Sequence, residues 1–187
     1  MGHQIGGIPV PWKEKIKIDG VMVNAFEILT SQSNTEKICS VGVHNFLDYE
    51  GPIFMDSGGF LLQKISDSPI KAIDVLNLYK SSTPDLGAVL DHPINPHLSY
   101  YHCQKRWLST SNNSCVMFEH NDEQIIVPVV HGYSEEAIIK ACEQIQEKLG
   151  NIKVIAIGSL VPLIRKKVPK NRFKSTNLEV IIKCIRA

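Results

Sequence analysis

The chain has 187 residues, 43% of them apolar, with 20 basic and 19 acidic side chains; that is room for one domain with a proper core, and the near-neutral balance sets up no global field to draw a nucleic acid or a membrane. No apolar run approaches the ~20 residues that span a bilayer, and the start, MGHQIGGIPVPWK, lacks the basic-then-apolar pattern of a secretory signal. The five cysteines (Cys39, Cys103, Cys115, Cys142 and Cys184) form no CxxC pair, which predicts a cytoplasmic protein with reduced, core-filling thiols and neither a structural zinc site nor a disulfide framework.

In chain order, VMVNAF (21–26) is the first of five short apolar runs that read as strands. Ser33 and Glu36 then stand at capping-box spacing ahead of Ile38 and Val41. PIFMD (52–56) is the second strand, and Pro69 can open a helix through Ile70, Ile73, Leu76 and Tyr79. LGAVLD (86–91) is the third strand, followed by a helix over 100–108. IIVPVV (125–130) is the fourth. The helix after it, 134–150, is the best marked: Ser134 suits its N-cap, Glu135 and Glu136 its positive end, Gly150 its stop, and Ile138, Cys142, Ile145 and Leu149 its buried stripe. VIAIG (154–158) is the fifth strand, and STNLEVIIKCIRA (175–187) the last helix.

Strands alternating with helices predict an α/β fold around a parallel sheet whose strands are buried on both faces. The repeat of about 30 residues suits a TIM barrel and suits a doubly wound open sheet as well. No GxGxxG or Walker-type loop follows the first strand, which counts against dinucleotide and nucleoside-triphosphate binding.

Four strands end on residues that a core would not choose: Asp56-Ser57-Gly58-Gly59, Asp91-His92-Pro93, His131-Gly132 and Gly158-Ser159-Leu160. In a parallel α/β protein those ends share one face, where ligands bind. Each has a plainer reading: the aspartates as N-caps, His131 as a hydrogen-bonded edge residue, the glycines as turns. Two carboxylates, a histidine and exposed backbone suit guanine, whose N1–H and 2-amino group give a carboxylate two adjacent donors, with the glycines letting a flat ring approach the backbone. A zinc or manganese ion on Asp56, Asp91 and His131 is the rival, without HxH or HExxH spacing to support it.

At these residues the sequence resembles the tRNA-guanine transglycosylases. GVHNFLDYEGPIFMDSGGF (42–60) is similar to their Asp-Ser-Gly-Gly segment, LGAVLDHP (86–93) to their third-strand acid, VPVVHG (127–132) to their Gln-Gly strand end, and IAIGSLVPL (155–163) to their Gly-Gly-Leu loop. VMVNAFEIL (21–29) resembles their first strand, and the resemblance runs over residues 8–165. It implies a TIM barrel that exchanges guanine for a 7-deazaguanine base in tRNA or, in one branch, DNA, through an aspartate nucleophile at the sugar carbon. It implies that Asp91 holds the donor edge of the base and that Asp56 contacts the base and assists proton movement. Ser57 and Gly58 would line the pocket, and His131, Gly132, Gly158, Ser159 and Leu160 would meet the other polar edge.

The departures are Leu61 for the family's Gln, His92-Pro93 for Glu-Cys, His131 for Gln and Ser159 for Gly. They favour an outlying branch, DNA-modifying or archaeosine-like. The family's nucleophilic aspartate and zinc-binding CxCxxC…H subdomain have no counterpart in this sequence, so the resemblance implies a partial barrel of about strands one to five, with no cofactor in this chain and zinc belonging to the missing C-terminal part. Two unpaired sheet edges then predict association, or a second chain that completes the barrel. RKKVPKNRFK (165–174), with Arg165, Lys166, Lys167, Lys170 and Arg172, suits a phosphate backbone if it lies near the active face, and a solvated loop otherwise. The alternatives to base exchange are a non-catalytic nucleic-acid-binding or partner subunit and a metal-dependent barrel hydrolase.

Overall fold

The computed structural model describes residues 4–14, 16–62, 70–121, 124–164 and 177–186. A short antiparallel hairpin, β1 (Gln4–Ile5) and β2 (Ile8–Pro9), turns on Gly6 and Gly7, both at positive φ, and leads into a 3-10 turn, Pro11–Glu14. Then follow β3 (Val21–Asn24), α1 (Ala25–Leu29), α2 (Gln32–Val41), α3 (Val43–Leu47), β4 (Ile53–Asp56), α4 (Gly59–Leu62), α5 (Ala72–Ser82) and β5 (Leu86–Ala88). The rest is α6 (Tyr100–Glu119), β6 (Ile126–Val127), β7 (Val129–His131), α7 (Glu135–Leu149), β8 (Ala156–Gly158), α8 (Val161–Ile164) and α9 (Asn177–Arg186).

The fold is mixed α/β. β3, β4, β5 and β6 form a four-stranded parallel sheet, and β7 pairs in parallel with β8. The predicted fourth strand is split because Pro128 has no N–H to give a ladder. On one flank Val127 O accepts from Val89 N at 3.0 Å; on the other Pro128 O accepts from Ala156 N at 2.9 Å. Strands that follow one another in the chain are therefore neighbours in space, with no reversal of order, which is compatible with a partial TIM-like fold.

Several boundaries differ from the sequence reading. The first strand stops at Asn24, whose side chain accepts from Glu27 N and caps α1, so Ala25 and Phe26 are helical. α2 starts from Ser31 rather than Ser33. α5 starts at Ala72, with Asp74 Oδ2 accepting from Lys71 N at 2.8 Å; Pro69 lies outside the described residues. The helix after the third strand runs twenty residues, to Glu119, because Ser99 caps its start and Thr110, Ser111, Ser114 and Met117 extend its buried side. α7 matches its prediction at both ends, Ser134 accepting from Ala137 N and Gly150 N closing on Gln146 O. Of the cysteines only Cys184 is buried, and Cys39 is exposed: in the amphipathic α2 the inward position falls to Ile38 instead.

The helix side of the sheet carries the main core, in which Val23, Ile53 and Met55 meet Ile28, Ile38, Val75, Leu76 and Tyr79. Tyr79 ties it to the sheet. Its ring lies 2.4 Å from where a Cβ on Gly87 would be, so β5 needs glycine there, and its hydroxyl lies 3.1 Å from Met55 O and 2.9 Å from Ala88 O. Burial, reinforced by the charges of Asp56 and Asp91, holds the phenol well above its ordinary pKa, so it remains a donor.

The opposite face departs from the expectation of burial on both sides. Met22, Phe54, Leu86 and Ile125 stand in register across neighbouring strands. Met22 is 69% and Ile125 59% exposed, and Phe54 and Leu86 are only half-buried. The described helices pack on the other side, so this apolar row meets solvent.

Two outcomes are expected. Tyr79→Phe deprives the buried strand carbonyls of their hydroxyl donor and costs about 1–3 kcal/mol in urea unfolding. The chain produced alone associates, as its open face requires; a concentration-independent monomer with one sharp melting transition in light scattering and calorimetry would contradict that.

Candidate functional site

The site is assembled where the strands end. Asn24 and Asp56 are register partners at the last positions of β3 and β4, on the same face as Met22 and Phe54. Asn24 Nδ2 donates to Asp56 Oδ2 at 3.4 Å, and Gly58 N donates to the same oxygen at 3.1 Å. Asp56 thus closes a tight turn onto its own loop. Gly58 makes that turn at φ +84°, a conformation other residues rarely adopt.

Asp91 follows β5 and caps no helix, since α6 begins at Ser99. Its residue is only 8% exposed. Ser57 Oγ donates to Asp91 Oδ1 at 3.5 Å, and His131 Nε2 lies 3.3 Å from Oδ2. That second contact is an ion-pair distance without hydrogen-bond alignment, and Nε2 is a buried polar atom with no hydrogen-bond partner. The other ring nitrogen, Nδ1, lies 3.0 Å from Ser159 Oγ.

The loop after Asp91 is fastened across these ends. His92 N donates to Thr110 Oγ1, Arg106 Nη1 to Pro93 O, Ile94 N to Ser159 Oγ, and Tyr133 Oη to Ile94 O. Ser57, Asp91, His131 and Ser159 therefore form one connected group. Asp56 stands close enough for Asp91 to act on it electrostatically.

The glycines do something other than expose backbone to a flat ring. A Cβ on Gly59 would lie 2.2 Å from Asp91 Oδ1, and one on Gly158 would lie 2.5 Å from the His131 ring. The space they leave holds the protein's own side chains. Gly132 likewise faces Ile138 and Ala137 of α7, and Leu160 packs on the second core cluster. Arg165, Lys166, Lys167, Lys170 and Arg172 lie outside the described residues.

Asn24 and Tyr133 belong to the site but are not singled out by the sequence; His92 is marked there only as a departure beside Asp91. Asn24 had a readable signal, since the first strand ends on a polar residue as the others do. Tyr133 had none, because its partner Ile94 is distant in the chain.

Burial raises the Asp56 carboxyl above its ordinary value of 3.8; the charge of Asp91 adds to this, and the Gly58 N–H opposes it. Burial lowers His92 below its ordinary 6.5, with Arg106 and His131 acting the same way against Asp91, so it is neutral at pH 7. Among the described residues no three His, Cys, Asp or Glu side chains gather as a metal-binding group, and none of the described helices is long and apolar enough to cross a membrane. Two clefts of about 400 and 600 Å³ lie between α6 and α7 around Trp107, the smaller bordered by His131 and Gly132. Neither is lined by Asp56 or Asp91.

A raised carboxyl makes the folded state bind its proton more tightly than the unfolded chain does, so Asp56 favours folding at low pH, and that contribution is lost as pH rises from 3.8 through the raised folded value. Asp56→Asn is expected to unfold at higher urea than the parent at pH 7. The gain should shrink below pH 3.8, where both forms are neutral; an unchanged midpoint at pH 7 would contradict the assignment.

A family model described as Queuine tRNA-ribosyltransferase matches residues 8–181. The chain is 26% identical over 159 residues to a tRNA-guanine(15) transglycosylase of Methanothermobacter thermautotrophicus, covering 82% of this chain and 24% of that protein. Proteins of the same name from Methanopyrus kandleri and Nanoarchaeum equitans are 26% and 25% identical, over 80% and 94% of this chain and 32% and 40% of their own lengths. The chain thus spans about a quarter to two fifths of these relatives. With a family match over most of its length and Asp56 and Asp91 at adjoining strand ends, the chain belongs to the tRNA-guanine transglycosylase family.

Proposed function

We propose that this chain is the base-binding part of an enzyme that exchanges guanine for a 7-deazaguanine base in tRNA. One observation carries the reading: the buried Asp91 carboxylate stands beside Asp56 at the ends of adjacent parallel strands, in a chain of this family. Asp91 would accept the N1–H and 2-amino donors of the base. Asp56, whose carboxyl is raised by burial, suits a group that passes a proton to the departing base. Ser57 holds Asp91 in place, and Gly58 shapes the turn between the two acids.

The naming of the relatives favours tRNA over DNA, and guanine at position 15 as the exchanged base, the archaeosine-type rather than the queuosine-type reaction. The six parallel segments β3 to β8, five strands when the split fourth is counted once, are read as the first part of a TIM barrel whose open face is its interior. The nucleophilic carboxylate would come from the part that closes it, on this polypeptide or on a second chain. It would displace the base at the sugar carbon to give a glycosyl ester, and the incoming base would reverse the step. The basic residues between 165 and 172 suit the phosphates of the tRNA, and the setting is cytoplasmic.

The second reading is a partner subunit that binds without catalysing. The exposed row Met22, Phe54, Leu86 and Ile125 suits it, because a second polypeptide seated there would bury that row.

The test combines the chain with the polypeptide that co-purifies with it from its native source, and supplies tRNA and radiolabelled guanine. Label should enter the tRNA, and Asp91→Ala should abolish guanine binding in titration calorimetry. Guanine binding without incorporation would favour the subunit reading, and no guanine binding by the assembled protein would overturn the proposal.

A further inference from the structure

Two of the departures from the family pattern, His131 and Ser159, touch each other, and the other two groups of their chain fix its direction. Ile94 N–H, which can only donate, gives its hydrogen to Ser159 Oγ at 2.8 Å. The Ser159 hydroxyl hydrogen is then free to point at His131 Nδ1, 3.0 Å away. A neutral ring that accepts at Nδ1 carries its hydrogen on Nε2. At Nε2 the neighbour is Asp91 Oδ2, at 3.3 Å, which can only accept when ionised. The reverse arrangement would set the lone pair of Nε2 against the carboxylate in a space closed to water.

We propose that Ser159 is a positioning residue that fixes His131 with its hydrogen on Nε2, the nitrogen that faces Asp91, so that His131 acts on the base through Asp91 and not by touching it. The functional half of this inference rests on the reading of Asp91 as the base-binding acid. Burial supports it directly: the His131 side chain is 0% exposed, so Nε2 faces the carboxylate and offers no surface to a ligand. Gly158 makes the arrangement possible, because any side chain there would occupy the ring's place. Ser159 holds its hydroxyl in position at φ +67°, a left-handed conformation that a non-glycine residue adopts only at a cost.

The same three residues also resemble a serine-nucleophile triad, with the serine at a strand-to-helix turn. The contacts of Ser159 favour the positioning role over that one. Ser159 Oγ is engaged by Ile94 N, and neither cleft beside α6 and α7 is lined by Ser159. A nucleophile needs its oxygen free at a cavity.

The decisive measurement is nitrogen-15 NMR of the histidine-labelled chain, with His131→Gln identifying the signals. His131 should show a protonated Nε2 and a hydrogen-bonded, unprotonated Nδ1. In Ser159→Gly the Nδ1 signal should move to that of a free pyridine-type nitrogen; glycine also relieves the positive φ, which offsets part of what losing the Ile94 N–H contact costs the loop. Guanine affinity should fall about five- to tenfold in Ser159→Gly, and should not fall further when the same change is made in His131→Gln. A proton on Nδ1, an Nδ1 signal that ignores the loss of Ser159, or an additive loss in the double variant would overturn the inference. If the unaltered protein takes up no guanine, the base-binding reading fails while the NMR signals still decide the role of Ser159.

Discussion

A carboxylate taken out of water must be surrounded by groups that repay its lost hydration, and the arrangement of this site follows from doing that for Asp91. Its residue is almost wholly buried at the end of β5. Gly59 gives it room, Ser57 donates to one oxygen, and His131 faces the other. His131 in turn requires Gly158 beside its ring and Ser159 at its second nitrogen, and Ser159 holds Ile94. Residues from three strand ends and one loop are thereby bound to the demands of a single acid. The glycines of the motifs serve this packing first, leaving volume for side chains.

The two acids are treated differently by their surroundings. Asp56 accepts from Gly58 N and from Asn24 but lies in a setting where burial and the neighbouring charge favour its neutral form. Asp91 is held by the hydroxyl of Ser57 and faced by an imidazole. Two carboxyls at adjoining strand ends with separate environments are the arrangement by which one can hold a substrate while the other exchanges a proton. Tyr79 supports both from beneath, its hydroxyl reaching the carbonyls of Met55 and Ala88, one residue before Asp56 and three before Asp91.

The sheet is finished on one side only. Its helix side is filled by the core around Tyr79, while the row from Met22 to Ile125 lies open. An apolar row of that kind is stable in water only when something covers it. The same face carries Asn24 and Asp56 above the apolar row, so whatever covers the row also walls the site. Covering the row and walling the site beside Asp56 are one event.

Much of this was legible from local pattern. The α7 boundaries follow from Ser134 and Gly150, because caps bond to residues within one turn. The strand ends at Asp56 and His131 follow from where apolar runs stop, whereas β5 stops at Ala88, three residues short of the expected end at Asp91; the parallel arrangement follows from strands that alternate with helices. Those signals lie within a few residues of the feature they specify, so the sequence by itself determined the alternation of strands with the longer helices and the parallel sheet, but not the N-terminal hairpin or the short helices α1, α3, α4 and α8. It did not determine that Pro128 would divide a strand between two partners, that the Met22 row would stay open, or that His131 would face Asp91 while Ser159 held its other nitrogen. Those contacts join residues far apart in the chain, and their identity depends on strand register and on which volumes the glycines leave empty. Only the tertiary structure sets these, because register and packing are decided by all the strands together.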